Sequence, residues 1–364
     1  MRKLFVIVMC LGVVVIGCGK DLSDDSDPIN SVDSGGGSDV DAGAGPLPFN
    51  PKADPIIPGQ EQVFSVARAR CQIVIDRFLG TEEAVGRQVW TYDDIGNMSL
   101  AEYDDGADGT VDRRVARTFD GPDQLVREED DRDGDGIPDT RVLVSYEDDG
   151  RVISLHDSDA DGMAERRRER IYAGDLLTEE SWYEVGDETR QSRVTYTYDA
   201  EGRPTSNERF EGDSVEPAVR TTWSYDGRGR LLELGQDLGA DGQIENRVSY
   251  RYDESARSRE GDTLDEIGTL RGRVTDTYDG ENRLIERLVD IGGDGQVEQT
   301  TRYTYEGVLL MAVSDTEGDA GGVETRFAYD RFGYLDRASV VRSAVTEVRD
   351  FTHHCRSLPA ESER

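Results

Sequence analysis

Histidine is scarce, with three residues in a chain of 364 (His156, His353 and His354), and cysteine numbers only four. Imidazole catalysis or metal ligation needs converging partners that this supply does not advertise. His353 and His354 fall in a terminal strand pattern, where neighbours point to opposite faces. Basic residues are outnumbered by acidic ones, 42 against 77, for a formal net charge of −35. Phosphate polymers and anionic lipid surfaces are therefore repelled, which excludes nucleic acid as a partner and leaves divalent cations and basic proteins. Apolar residues make up 35%, low for a two-sided core yet too patterned for disorder. The apolar run from Leu4 to Ile16 is too short for a spanning helix.

That run follows the positive start Met1-Arg2-Lys3 and has about the length of a signal-peptide core. It ends in Val15-Ile16-Gly17-Cys18, which resembles the lipobox of bacterial lipoproteins. The resemblance implies a signal peptide over residues 1–17, with Cys18 diacylated as the mature N-terminus. Two or more acyl chains hold a protein to a bilayer stably. Gly19 rather than aspartate after the cysteine implies sorting to the outer membrane, on either side of it. Residues 18–60 hold Asp24-Asp25, Gly35-Gly36-Gly37 and several prolines with few aliphatics, the composition of a flexible tether. With Cys10 removed and Cys18 acylated, Cys71 and Cys355 remain as thiols in an oxidising compartment, and a disulfide between them is expected.

The dominant feature is a period. Aromatic anchors stand at Tyr92, Phe119, Tyr146, Tyr172, Tyr198, Tyr225, Tyr252, Tyr278, Tyr305 and Tyr329, with gaps of 27, 27, 26, 26, 27, 27, 26, 27 and 24. Spacing held that tightly means one structural unit used about ten times. Within a unit, Val194, Tyr196 and Tyr198 alternate with Arg193, Thr195 and Thr197, the two-residue period of a strand with one apolar face. Each such strand ends in Asp-x-x-Gly or a near variant, as at Asp199–Gly202 and Asp226–Gly229. The aspartate can accept backbone N–H groups two residues on, and the glycine can take positive φ. A second strand leaves this turn, then an acidic turn returns the chain to the next anchor.

The expected fold is all-β. It is an antiparallel meander of about ten repeated hairpin units of 26–27 residues, about twenty strands, over residues 61–356, with a disordered tail at 357–364. Tyr198-Asp199-Ala200-Glu201-Gly202-Arg203 and Tyr225-Asp226-Gly227-Arg228-Gly229-Arg230-Leu231 resemble the YD repeats of RHS-type proteins. The resemblance spans roughly residues 86–355 and implies hairpins that wind into a shell, here in a small surface lipoprotein without a carried toxin. A flat sheet of twenty strands would part its ends by about 100 Å, whereas a disulfide needs Cα atoms within about 7 Å. Pairing of Cys71 with Cys355 therefore predicts a sheet curled into a shell or folded over, its Tyr/Val/Trp face inward. An open twisted ribbon is the alternative.

The acidic turns carry their own pattern. Asp131, Asp133, Asp135, Ile137 and Asp139 form the fullest copy, and Asp157, Asp159, Asp161, Met163 and Glu165 the next. Carboxylates at positions 1, 3 and 5, glycine at 6, a backbone carbonyl at 7 and an acid at 9 match the first part of an EF-hand loop. Calcium is the expected cofactor. The match is partial, because position 12 counted from Asp131 is Val142 rather than glutamate. Weaker copies such as those from Asp104, Asp237 and Asp290 have glycine at position 3 and suit plain hairpin turns.

These readings favour a membrane-anchored, non-catalytic scaffold or protein-binding module. A glycan-binding module using the tyrosine face is the alternative. A glycoside-active enzyme with two paired carboxylates comes third, since the aspartates recur as turn residues in every unit.

Overall fold

The computed structural model describes residues 71–186, 188–317, 320–331, 333–342 and 345–355. The chain divides into a unit Met1–Ala42, which lies outside the described residues, and a unit Gly43–Arg364, which contains every described element. The expected signal peptide, Cys18, the tether and the tail at 357–364 all fall outside the described residues.

Every described element is a strand. The even-numbered strands carry the aromatic anchors and run into the turns that follow them, except the last, which ends the sheet. They are β2 (Gly86–Tyr92), β4 (Arg113–Phe119), β6 (Thr140–Tyr146), β8 (Arg166–Ala173), β10 (Thr189–Tyr198) and β12 (Val219–Tyr225). The series continues with β14 (Asn246–Asp253), β16 (Leu270–Tyr278), β18 (Gln299–Glu306), β20 (Ala320–Tyr329) and β22 (Val345–Cys355). The odd-numbered strands carry the chain away again: β1 (Cys71–Leu79), β3 (Met98–Asp104), β5 (Leu125–Asp131), β7 (Arg151–Asp157), β9 (Leu176–Glu184) and β11 (Pro204–Glu211). They end with β13 (Leu231–Leu238), β15 (Ser258–Leu264), β17 (Leu284–Asp290), β19 (Leu309–Glu317) and β21 (Leu335–Arg342).

Each strand pairs antiparallel with the next, and β1 pairs with β22 over nine residues, from Cys71↔Cys355 to Leu79↔Glu347. The 22 strands therefore close into a barrel. This corrects the expected count of about twenty strands and overturns the open ribbon. The closure comes from main-chain pairing of the two edges, not from folding one aromatic face onto another. The extra strands are the flanking segments, which lack a Tyr-Asp pair. Cys355 stands 26 residues after Tyr329, at the place of the next anchor, where a count of aromatics passes over it. Cys71 is disulfide-bonded, and Cys355 is the residue opposite it in register.

The apolar core gathers along the seam. Ile73 lies opposite Trp90, Trp90 opposite Ala101 and Ala101 opposite Val115, a row across β1 to β4 in which every member is buried. Val313, Phe327, Ala338 and Phe351 extend the same cluster through β19 to β22. Cross-strand contacts of this kind are the unit of sheet stabilisation. One strand further on, Val115 faces Asp130, and the row turns from apolar to charged.

Every part of the repeat has a structural use. A register shift falls immediately before Tyr92, Phe119, Tyr198, Tyr225, Tyr278, Tyr305 and Tyr329. A bulge there re-aims the anchor ring. The β7–β8 hairpin is paired from His156↔Arg166 to Arg151↔Ile171, whereas several hairpins closed by acidic loops are paired only near those loops, as in β11–β12 from Arg209↔Val219 to Ser206↔Thr222. Beyond that the strands part, and the anchor hydroxyl bridges the gap. Tyr225 donates to the carbonyl of Pro204 at 2.9 Å, Tyr252 to Leu231 at 2.8 Å, and Tyr305 to Leu284 at 2.9 Å. Burial pushes the Tyr329 hydroxyl up to about 12, so it stays protonated and donates to Leu310.

Three of the arginines that follow the turns couple neighbours. Arg203 lies over the ring of Tyr225 at 4.7 Å, Arg230 over Tyr252 at 4.3 Å, and Arg283 over Tyr305 at 4.6 Å. These three turns thus cover the anchor of the following unit with a cation–π contact. That contact explains why the spacing tolerates so little drift.

Candidate metal loops and charged barrel faces

The tyrosine–aspartate turns are built as their residue types require. Asp199 Oδ1 accepts the N–H of Glu201 and of Arg203, and its Oδ2 accepts Arg203 Nε at 2.7 Å. Gly202 takes φ of 78°, and at the equivalent place after Asp279 an asparagine, Asn282, takes φ of 65°. Burial raises the Asp279 carboxyl, but amide and guanidinium bonds from Arg283 outweigh it and hold the group below the usual carboxylate range. A depressed folded-state value stabilises the fold above the unfolded-state value, and that contribution is lost as pH falls through the folded one. The thermal advantage of the wild type over Asp279→Asn is therefore expected to be constant at neutral pH and to shrink as pH falls below about 4. A melting-temperature difference that stays constant as pH falls through the acid range would refute the assignment.

The acidic loops share one scaffold. The position-1 aspartate, buried at the strand end, gathers loop amides. Asp131 accepts Gly134 and Gly136, Asp237 accepts Asp241 and Gly242, and Asp104 accepts Asp108 and Gly109. The acid at position 9 reaches back to the amide at position 2: Asp139 to Arg132, Glu165 to Ser158, Glu245 to Leu238 and Glu298 to Ile291. Backbone amides cradled by carboxylates help close these hairpins, a role for these aspartates that the sequence pattern did not reveal. The Ser158 amide and hydroxyl hold Glu165 below the usual carboxylate range.

Among the expected ligands, the structure brings together one oxygen each from Asp157, Asp159, Asp161 and Glu165, all within 4.8 Å of one another. In the other full copy it groups Asp131, Asp133 and Asp139, while Asp135 stays outside that group. Asp237, Asp241 and Glu245 form a third cluster, in a loop that the glycine at position 3 marked as a plain turn. Ile137 and Met163 are exposed at 68% and 71%, their side chains pointing away from any packed surface.

Ion pairs occupy both faces of the barrel wall. On β5, Glu128 pairs with Arg117 of β4 at 2.6 Å, and its neighbour Glu129 pairs with Arg141 of β6 at 3.0 Å. Adjacent residues on a strand point to opposite faces, so these pairs lie on opposite sides of one wall. On β16, Asp276 is held by Arg259 and Arg287 at 2.5 and 2.7 Å, and Arg273 pairs with Asp262 at 2.7 Å on the other side. A lipid-facing barrel needs an apolar outer band about 25 Å tall, and each charge at its midplane costs about 2–4 kcal/mol. Neither face of β4 to β6 or of β15 to β17 offers such a band.

Two of the three histidines pack against aromatic rings. His353 Nε2 lies 2.7 Å from the carbonyl of Leu335 and its ring stacks on Tyr334. His354 is the neighbour on the opposite face, as alternation requires. His156 packs against Trp182 at 5.2 Å between ring centroids.

No protein-family model matches the chain, and no curated protein matches it. Solved structures similar to it include a porin-like protein from Bacteroides uniformis, 10% identical with a TM-score of 0.29, covering 78% of this chain and 97% of that one. A porin-like protein from Bacteroides vulgatus is 11% identical with a TM-score of 0.20, covering 78% and 98%. The Tc holotoxin pore of Photorhabdus luminescens is 11% identical with a TM-score of 0.16, covering 74% of this chain and 22% of that one. Superpositions this loose carry no argument about this chain.

Proposed function

We propose that the protein is a non-catalytic lipoprotein of the bacterial cell envelope. In this reading Cys18 carries the lipid that holds it to the outer membrane, and the YD-repeat barrel serves as a scaffold or protein-binding module. The observation that carries the proposal is the ion pairing on both faces of the wall. A barrel charged inside and out gains nothing from lipid, so attachment must come from elsewhere, and the lipobox-like Val15-Ile16-Gly17-Cys18 supplies it. Calcium bound in the acidic hairpin loops stiffens the barrel, and the excess of acidic residues favours a basic protein partner. The anchor tyrosines are engaged with carbonyls and arginines, which favours protein over glycan as the ligand.

Fractionation of cells expressing Cys18→Ala tests this. The wild type is expected in the outer-membrane fraction with an acylated N-terminal peptide, and the variant in the soluble fraction. A variant that remains integral to the membrane would mean that the barrel itself inserts, and would end the proposal.

A further inference from the structure

Of the acidic loops, the one between β7 and β8 differs in a way that points to a ligand. Asp157 is 6% exposed. Its Oδ2 accepts the Gly162 amide at 2.9 Å and lies 3.7 Å from Arg141 Nη1. Its Oδ1 is enclosed and has no hydrogen-bond partner among the described residues. The equivalent aspartates 104, 131, 237 and 290 each have both oxygens bonded to loop amides.

The amide of Asp161 is taken by Asp159 Oδ1. Asp133 takes the amide of Asp135 in the same way, but there the Gly134 amide at position 4 donates to Asp131 Oδ1. With Gly239 at position 3, the amide of Asp241 goes to Asp237. A buried carboxylate oxygen without a donor costs on the order of 1–3 kcal/mol or more, so the loop is built around something not supplied by the chain.

The structure assigns this loop as a calcium site formed by Asp157 Oδ1 together with Asp159, Asp161 and Glu165. The assignment rests on the reading of the acidic loops as calcium-responsive and narrows it to one of them. Each of the four carboxylates spends one oxygen on a backbone amide: Asp157 on Gly162, Asp159 on Asp161, Asp161 on Met163 and Glu165 on Ser158. The second oxygen of each is left for a cation, and four such oxygens suit a hard, oxygen-seeking ion that completes its shell with water. No cationic side chain stands in this loop, where position 2 is Ser158. The loop from Asp131 has Arg132 at that position, paired with Asp130 at 3.2 Å. Its position-1 carboxylate is already satisfied, so it folds as a self-contained hairpin.

Terbium, which replaces calcium and is sensitised by nearby indole, reads the site directly. Trp182 is placed to act as donor through its contact with His156, the residue before Asp157. The full chain is expected to show saturable tryptophan-sensitised emission that calcium displaces in the range of about 0.1–1 mM. The melting temperature is expected to rise by about 2 °C at about 10 mM calcium. Asp159→Asn with Asp161→Asn, both exposed, should abolish the emission and the calcium-dependent rise. Asp133→Asn with Asp135→Asn should leave both signals intact. If the second pair abolishes the signals and the first does not, this assignment fails while the general reading survives. If calcium has no effect on the unmodified chain, both fail.

Discussion

Replacing Cys71 and Cys355 with serine is expected to lower the unfolding free energy by about 5 kcal/mol, from a covalent loop that encloses nearly the whole barrel. Cys71 is bonded in a disulfide and faces Cys355 at the end of the β1–β22 ladder. In chain-entropy terms, a bond between the first and last strands removes more freedom from the unfolded chain than any internal bond. The effect on the folded side is also large. Among the described residues, the ladder it clamps is the one join between the two ends of the meander, and once it frays, β1 and β22 become exposed edges. Unprotected edges recruit other chains. The double variant should therefore unfold at lower denaturant than the oxidised wild type and elute partly as oligomers. Non-reducing peptide mapping should recover Cys71 linked to Cys355. Equal denaturation midpoints for the two proteins would show that the ladder closes the barrel unaided.

Asp276→Ala is expected to cost about 3–5 kcal/mol, the price of leaving buried charges uncompensated. Asp276 is 1% exposed and lies between Arg259 of β15 and Arg287 of β17, one carboxylate joining three strands. Burial works against the Arg259 charge, and Tyr278 and Asp276 more than restore it. Removing the carboxylate strands two guanidinium groups whose side chains are only 19% and 16% exposed. Asp350→Ala makes the comparison. Its pair with Arg337 has similar geometry at 2.6 Å, but the arginine is 57% exposed, and such pairs contribute about 0–1 kcal/mol. Urea midpoints of the two variants should differ severalfold in their shift from wild type. Equal shifts would mean that the buried triad does not hold the three strands together.

Much of the local structure was legible in the residues. The turn after each anchor closes within five residues, so Asp199, Gly202 and Arg203 specify it through bonds to their own backbone. Alternation along β10 and the opposite aims of His353 and His354 follow from strand geometry alone. The acidic loops were visible as a pattern, but not what their carboxylates do. Asp131 and Asp157 head nearly identical motifs, yet only one keeps an oxygen without a donor. That outcome depends on which loop amide each acid captures, a choice made by backbone geometry.

Composition, period and turn chemistry by themselves determined that this protein is an acidic array of β-hairpins about 26–27 residues apart, because those features act over distances shorter than one unit. Only the tertiary structure decided that the array has 22 strands and closes on itself. It also decided that Arg203, Arg230 and Arg283 cover the next unit's tyrosine and that charge lies on both faces of the wall. Closure depends on twist accumulated over every strand and on two edges meeting in register, and neither quantity resides in any single repeat.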